Sequence, residues 1–307
     1  MIENVEYFGQ PNCQKLSNGT VELIVTTDIG PRIIRYGFPG QDNILGECPE
    51  AAVQTDFGEW KPWGGHRLWH APESIPRTYV PDNTPIDWEA NGDLSVRLVQ
   101  PVESPTGIVK ELSVALDPEG TGVTVHHKLT NDGQWPVQLA PWGLSIMNGG
   151  GRVIIPQEPF ISHDDCLTPA RPLVLWHYTN LADPRYTIGP KFIQLRTDAA
   201  IEDSQKIGVA DKEGWAAYFR QGTLFIKFFD YIADVTYPDD GCNCEAYTAA
   251  NFMELETLAP MHDLVPGESA EHVEVWHLFQ DIELGEDDDA IEAVLNPILG
   301  EFEAEDD

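Results

Sequence analysis

The 307-residue chain carries 51 acidic and 18 basic side chains, and its formal net charge of -33 excludes nucleic acid and anionic membranes as partners. A hydrophobic content of 42% excludes a disordered chain, and no apolar stretch is long enough to cross a bilayer. Five cysteines in no paired pattern argue against a disulfide framework, so we expect a soluble protein in a reducing cytoplasm.

Strand-like segments recur along the whole chain, with turn residues between them. Several alternate apolar and polar side chains, which is typical of half-buried strands. In chain order, the predicted strands cover residues 21–26, 32–36, 94–99, 108–116, 123–129, 137–139, 153–155, 192–195, 215–219, 224–229, 252–255 and 273–279.

Helical patterns are scarce. Only residues 288–295 predict a helix, which we expect Pro297 to interrupt. No segment between the strands supplies the helical crossovers that a parallel sheet needs. We therefore predict an all-β fold, a large antiparallel sandwich. Without an internal repeat or a low-complexity linker, we expect one domain over residues 1–280 and an acidic tail with a short helix over residues 281–307.

The segment from Trp63 to Glu73 is crowded with groups that bind ligands. Two adjacent glycines and Pro72 predict a loop there. Its functional side chains are His66, Arg67, Trp69, His70 and Glu73. Aromatic faces beside charged groups suit a polyhydroxylated ligand such as a sugar. The alternative is a structural loop, with its tryptophans in the core and its arginine paired to a carboxylate.

Glu254 and Glu256 lie two residues apart in a predicted strand, so both side chains project from the same face. If that face lines a cleft, repulsion and desolvation raise the pKa of at least one carboxyl, which can then exchange protons near neutral pH. The alternative is that both face solvent.

Further candidates are more isolated. Lys227 lies in an otherwise apolar strand, and we expect it to point into a polar cleft. Tyr237, Asp239, Glu245 and Tyr247 are candidate rim residues that could bind sugar hydroxyls. A separate hypothesis from residue chemistry is a metal site in which His66, His70 and Glu73 supply two imidazoles and one carboxylate.

The order of several motifs resembles the galactose mutarotase (aldose 1-epimerase) superfamily, and in particular its mutarotase-like subgroup. Residues 253–257, Met-Glu-Leu-Glu-Thr, followed by Leu-Val-Pro-Gly-Glu at 264–268, are similar to the closing segment of that superfamily. Residues 21–45 resemble its opening hairpin, and the Gly-Gly-His-Arg-Leu-Trp segment resembles the stretch that carries a histidine beside paired glycines.

This resemblance implies a β-supersandwich with a concave carbohydrate site and proton-transfer chemistry that needs no cofactor and no metal. It implies Glu256 as the general base and His66 or His70 as the acid. As residues that bind the sugar we predict Arg67, Trp69, Glu73, Trp142, Lys227, Tyr237 and Glu254.

The second histidine of the superfamily is missing from the corresponding stretch, residues 140–145. The first hypothesis is therefore an anomer-interconverting enzyme acting on a small carbohydrate. The second is a carbohydrate-binding protein that has the same fold and no catalytic activity.

The acidic excess also predicts a dependence on salt. Like charges strain the compact state at low ionic strength, whereas in molar salt the Debye length falls to about 3 Å. We expect the midpoint of thermal unfolding to rise with potassium chloride from dilute buffer to the molar range, as adaptation to a salty cytoplasm requires. A midpoint that stays flat or falls would favour the alternative, a merely acidic protein with an acidic tail.

Overall fold

Two large antiparallel sheets contain most of the strands in the computed structural model, which describes residues 2–303. The larger sheet has eleven strands and the smaller has ten, and the strand pairs within both are antiparallel, as predicted. The ten-stranded sheet contains, in spatial order, β10 (Asp87–Ala90), β11 (Ser95–Val99), β12 (Ile108–Leu116), β13 (Val123–Asn131), β25 (Ser269–Phe279), β21 (Thr223–Phe229), β20 (Trp215–Arg220), β15 (Arg152–Pro156), β18 (Phe192–Arg196) and β17 (Tyr186–Ile188).

The eleven-stranded sheet brings the candidate residues of the first and last thirds of the chain together. It contains, in spatial order, β1 (Ile2–Tyr7), β2 (Gln10–Ser17), β3 (Glu22–Thr26), β4 (Arg32–Gly37), β9 (His66–Ala71), β14 (Val137–Met147), β23 (Phe252–Leu258), β22 (Cys244–Ala249), β19 (Gln205–Val209) and β16 (Leu173–Leu175), with β24 (His262–Leu264) beside β14. Two short pairs lie outside both sheets, β5 (Glu47–Cys48) with β8 (Trp63–Gly64) and β6 (Val53–Thr55) with β7 (Gly58–Trp60). Two 3-10 turns cover Arg77–Tyr79 and Asp239–Gly241.

The main core lies between the two large sheets. Apolar side chains alternate along the strands, so that Leu112 and Val125 of the smaller sheet and Met253 and Leu255 of the larger sheet belong to one buried cluster. Burying each such side chain contributes about 1.5–3 kcal/mol. The alternation places Glu254 and Glu256 on the opposite, outer face of the larger sheet. The two carboxyls therefore share a face, as their spacing of two residues predicted.

The segment after the paired glycines is a buried strand, and the predicted loop is wrong. His66–Ala71 forms β9, which lies between β4 and β14 inside the larger sheet. Gly64 and Gly65 have φ angles of 120° and 68°, and a Cβ at Gly65 would lie 2.2 Å from the carbonyl oxygen of Ile33. The glycines therefore make a tight turn that leads into the strand, and Pro72 follows its end.

Strand β14 is also longer than predicted. The pattern indicated residues 137–139, whereas the strand continues through Pro141 and Gly143 to Met147. Gly143 is required by packing, because a Cβ there would lie 2.4 Å from Oε1 of Glu274 on the opposite sheet. Glycine usually marks a turn, but here it lies inside a strand and allows the two sheets to come into close contact.

The helix α1 (Asp288–Glu303) runs through Pro297, so the predicted interruption at that residue is wrong. Ile291 and Leu295 are buried against the outer face of the ten-stranded sheet, and the Phe302 ring lies 4.3 Å from that of His277. These contacts on both sides of the proline offset the lost backbone hydrogen bond. The division at residue 280 stays a prediction, and residues 304–307 of the predicted tail lie outside the described chain. No helix within residues 2–303 has the length and apolar character to span a membrane.

Candidate functional site

The outer face of the larger sheet carries rows of charged and aromatic side chains from five adjacent strands. Arg67 on β9 pairs with Leu144 on β14, which pairs in turn with Glu256 on β23, and Glu256 pairs with Glu245 on β22. Neighbouring strands are about 4.8 Å apart, so the backbones of Arg67 and Glu256 are about 10 Å apart. Sheet pairing thus brings together residues from opposite ends of the chain.

Glu256 is the centre of this face. Its side chain is fully buried, and its Oε2 accepts hydrogen bonds from the indole Nε1 of Trp142 and from Nζ of Lys206, both at 2.9 Å. Nζ of Lys206 also lies 2.7 Å from Oε2 of Glu245. The other carboxylate oxygen of Glu256, Oε1, is buried without a hydrogen-bond partner. An acceptor in this state fits a ligand hydroxyl, because leaving it unpaired costs about 1–3 kcal/mol.

Lys206 and Glu245 both have pKa values above their ordinary values, but for different reasons. Burial acts to lower the pKa of Lys206, but the carboxylates of Glu245 and Glu256 outweigh it and hold that pKa well above its ordinary value. Burial raises the pKa of Glu245 well above its ordinary value despite Lys206. Lys206 therefore stays charged, and burial favours the protonated form of Glu245.

Arg67 forms the second half of this face. Its guanidinium stacks over the rings of Trp69 and Trp60, with Cζ 4.4 Å and 5.3 Å from the ring centroids, and Nη2 lies 3.3 Å from Oε1 of Glu254. Nε and Nη1 of Arg67 are buried without partners. Burial raises the pKa of Glu254 to about 7, with Arg67 opposing and Glu256 adding to the shift. Glu254 can thus exchange protons near neutral pH.

This shift predicts a pH dependence of stability. An unfolded glutamate has a pKa of about 4.5, so the folded state holds the Glu254 proton more tightly. Its contribution is fully present below about pH 4.5 and is lost as the pH rises through about 7. Glu254→Gln is always neutral, so we expect its free energy of unfolding, measured in urea, to gain on that of the wild type across this window. Parallel curves for the two proteins would contradict the assignment.

Tyr178, Asp239 and an open cleft border the Glu256 site. Tyr178 is half-exposed; burial raises the pKa of its hydroxyl, Lys206 lowers it, and the nearby Glu256 and Glu73 raise it further. Burial also raises the pKa of Asp239, which Lys206 opposes and Glu256 increases. Beyond Tyr178 an open cleft of about 670 Å³ is lined by Tyr178, Asn180, Asp183, Asp203, Ser204, Gln205 and Tyr247. Its rings and polar groups suit a polyhydroxylated molecule.

The remaining predicted residues differ in where they lie relative to the outer face that carries Glu256. Trp142 and Trp69 lie on that face, with ring centroids 5.3 Å apart. Glu73 is exposed and accepts a hydrogen bond from the hydroxyl of Tyr79. The hydroxyl of Tyr237 accepts the backbone N–H of Ile232, and this contact uses it within its own loop.

His66 and Lys227 do not reach the outer face, which corrects the expectation that they line the cleft. In a strand, successive side chains point to opposite faces, so His66 points inward where Arg67 points outward. Both residues are fully buried between the sheets. Nζ of Lys227 forms an ion pair of 3.1 Å with Oε1 of Glu274.

A chain of hydrogen bonds links these buried residues. Nζ of Lys227 donates to Oγ of Ser145 at 2.9 Å, and the Ser145 hydroxyl lies 2.8 Å from Nδ1 of His66. Nε2 of His66 lies 2.6 Å from Nε2 of His127, whose Nδ1 donates to the backbone oxygen of His272 at 2.9 Å. Because a carbonyl only accepts, Nε2 of neutral His127 must accept from His66. Burial lowers the pKa of both histidines and keeps them neutral.

Within residues 2–303, the set of side chains close enough together to bind a metal ion lies in this same network. Donor atoms of His66, His127 and Glu274 lie within 4.8 Å of one another. A cation there would face the ammonium of Lys227. The two histidines already hydrogen-bond each other, and Oε2 of Glu274 accepts a hydrogen bond from the indole Nε1 of Trp276. Burial acts to raise the pKa of Glu274, but Lys227 and the neighbouring histidines together outweigh it and hold that pKa well below its ordinary value. The network therefore fits an internal ion pair better than a metal centre.

His70 also points inward, so the predicted acid role beside Glu256 is wrong for it as well. It lies beside Glu103, with 3.9 Å between Nε2 and Oε2. His66 and His70 are four residues apart in one strand, about 13 Å along its axis. Glu73 lies beyond the strand on the exposed side. The metal site formed by these three residues is therefore contradicted by their geometry.

Lys206 is absent from the residues that the sequence predicts for the site, and Glu245 is predicted only as a rim residue. The available signal was a lysine directly before the short apolar stretch Ile207–Val209, in a chain with only 18 basic residues. The same argument favoured Lys227, whose strand belongs to the other sheet. Only the strand order distinguishes the two lysines.

The backbone matches solved structures, whereas no protein-family model and no curated protein matches the sequence. A galactose mutarotase-like protein from Lactobacillus casei has a TM-score of 0.51 and 13% identity, over 87% of this chain and 100% of that one. A galactose mutarotase related enzyme from Lactobacillus acidophilus has a TM-score of 0.54 and 8% identity, over 88% and 98%.

A third match is a TPR-domain containing protein from Parabacteroides distasonis, with a TM-score of 0.59 and 15% identity. It covers 89% of this chain but 48% of its own, so this chain spans about half the length of that protein. The class defined by these matches is the galactose mutarotase-like fold. This chain has that fold, an antiparallel β-supersandwich, as the sequence motifs predicted.

Proposed function

We propose that the protein binds a small carbohydrate on the outer face of the larger sheet and interconverts its anomers by general acid–base catalysis. The observation that carries this proposal is the buried, unpartnered Oε1 of Glu256 beside Glu245, a carboxyl whose pKa is raised by burial. In the proposal these two carboxyls, on paired residues of adjacent strands, divide the base and acid roles between them.

In this mechanism Glu256 takes the proton of the anomeric hydroxyl, and Glu245 gives a proton to the ring oxygen. The bond between the anomeric carbon and the ring oxygen breaks, and an open-chain aldehyde forms. Rotation about the adjacent carbon–carbon bond and closure, with both proton transfers reversed, produce the other anomer. The charge of Lys206 stabilises whichever carboxylate is ionised at each stage. No cofactor is needed for these steps.

Binding is assigned to the flanking side chains. Trp69, Trp142 and Arg67 are buried in this structure, so they reach a sugar only once the bordering segments open. The rings of Trp69, Trp142 and Trp176 would then offer apolar surfaces for a sugar face, and the free Nε and Nη1 of Arg67 could donate to its hydroxyls. Glu73 and the cleft at Tyr178 border the same face. We therefore propose that a sugar enters from the cleft and that the bordering segments move to admit it.

A second candidate function is carbohydrate binding without catalysis. It is favoured by the ion pair of 2.9 Å between Glu256 and Lys206, which already engages the carboxylate that would have to act as the base. Complete burial of Glu245 also requires the bordering segments to open before a sugar can reach it.

Saturation-transfer NMR across a panel of aldoses tests the proposal, because it measures exchange between α and β anomers directly. We expect exchange well above the buffer rate for at least one sugar at catalytic protein concentration. Chemical-shift changes or line broadening without faster exchange would select the binding function. A complete lack of binding and exchange for neutral, amino and acidic sugars would reject both.

A further inference from the structure

A second cavity lies on the inward side of β9, away from the Glu256 face. Its volume is about 350 Å³, and most of its wall is apolar. The lining side chains include Phe57, His70, Pro76, Arg77, Ile108 and Leu139. A cavity of this size and composition falls in the range that holds small organic ligands.

Two polar side chains on this wall have buried nitrogen atoms without a hydrogen-bond partner. His70 is 1% exposed, and neither ring nitrogen has a hydrogen-bond partner. The nearest carboxylate is that of Glu103, but its Oε1 is 2.6 Å from Nζ of Lys110 and its Oε2 accepts from the hydroxyl of Thr106 at 2.6 Å. An imidazole buried without a partner loses about 1–3 kcal/mol, so a ligand atom at this position would be stabilising.

Arg77 is the second of these side chains, and only part of its guanidinium is paired. Its Nη2 donates to the backbone oxygen of Pro72 at 2.9 Å, whereas its Nε is buried without a partner. Within residues 2–303 no carboxylate lies within ion-pair distance of this guanidinium, although the chain has 51 acidic side chains. An arginine that stays unpaired on so acidic a protein retains its capacity for an external anion.

The local charge supports the same conclusion. Glu103 balances Lys110, so the charge of Arg77 is left over at the cavity wall. Burial lowers the pKa of His70, Glu103 acts to raise it, and Lys110 lowers it further. His70 is therefore neutral at neutral pH and can donate one N–H.

We propose that this cavity binds a small organic carboxylate with an apolar body, its anionic end held by Arg77 and His70 and its body against Phe57, Ile108 and Leu139. The site is separate from the proposed carbohydrate site, because His70 and Trp69 point to opposite faces of β9. Its test is therefore independent of whether the protein interconverts anomers.

The experiment is calorimetric titration of the full chain with octanoate, and with acetate and octanol as ligands that lack the body or the charge. We expect octanoate to bind at least 10-fold more tightly than either. Arg77→Gln should weaken octanoate at least 10-fold, since a charge-assisted hydrogen bond is lost. Arg97→Gln, which removes a surface arginine paired with Glu111 on β12, should change the affinity less than 2-fold.

Each of the following results would overturn the proposal. No octanoate binding at millimolar concentration would mean that the cavity holds water only. Equal affinity for octanoate and octanol, or unchanged octanoate affinity in Arg77→Gln, would mean that the cavity is simply apolar. If Arg77→Gln does not fold, NMR titration of the His70 ring in the wild type decides: a bound carboxylate should raise the pKa of His70, and an unchanged pKa would reject the site.

Discussion

Replacing Glu256 by glutamine is expected to lower anomer exchange by about two to four orders of magnitude while leaving the fold intact. Glutamine keeps the shape and can still accept from the indole of Trp142, but it cannot take a proton from the anomeric hydroxyl. Nζ of Lys206 keeps its contact with Glu245, and the substitution removes the Glu256 charge that helps to raise the pKa of Glu245. We therefore expect Glu245 to ionise in this variant and to balance the Lys206 charge. The measurement is the exchange rate at saturating sugar, together with the unfolding midpoint.

The control is Glu111→Gln, which removes a carboxylate paired with Arg97 on the other sheet. We expect its exchange rate to match that of the wild type within a factor of two. Full activity in Glu256→Gln would reject Glu256 as the base. Loss of activity with unchanged sugar affinity in Glu256→Gln would separate the catalytic role from a binding role.

The second large effect is on stability. Lys227→Met removes the ammonium that balances Glu274 and leaves a carboxylate buried among neutral histidines. Breaking a buried pair in this way costs about 3–5 kcal/mol, a large part of the 5–15 kcal/mol that stabilises a typical domain. Urea unfolding measures the loss, and added potassium chloride keeps the variant folded if the salt prediction holds.

A double variant distinguishes this cause from simple loss of packing. Lys227→Met combined with Glu274→Gln contains neither charge, so we expect it to recover at least about 1 kcal/mol relative to Lys227→Met alone. Lys15→Met is the matched control, because its surface pair with Glu3 is expected to contribute at most about 1 kcal/mol. A single variant as stable as the wild type would show that Glu274 does not depend on Lys227.

Local patterns were enough to predict the architecture. Alternation in Ile108–Leu116 and Val123–Asn131 indicated half-buried strands, and both are central strands whose apolar side chains enter the core. The lack of crossover helices indicated antiparallel pairing. These two predictions succeed because side-chain period and turn residues are local properties of the chain. The mutarotase-like fold was instead implied by the resemblance of residues 21–45 and 253–268 to that superfamily.

The relative side of two residues in one strand is likewise a sequence property. The spacing of Glu254 and Glu256 placed both carboxyls on one face, and the structure has them there. The same rule separates His66 from Arg67, but it does not say which of the two faces the core. That choice depends on which side of β9 the ten-stranded sheet covers, and residues far away in sequence decide it.

The sequence by itself therefore determines which segments form strands, the excess of acidic side chains, and the placement of Glu254 and Glu256 on one face of their strand. Only the tertiary structure decides that Lys206 meets Glu256 while Lys227 meets Glu274, because each ion pair joins strands that are distant in sequence. The close contact between Gly143 and Glu274 has the same origin. Such contacts are set by how two sheets pack, which no local pattern of the chain contains.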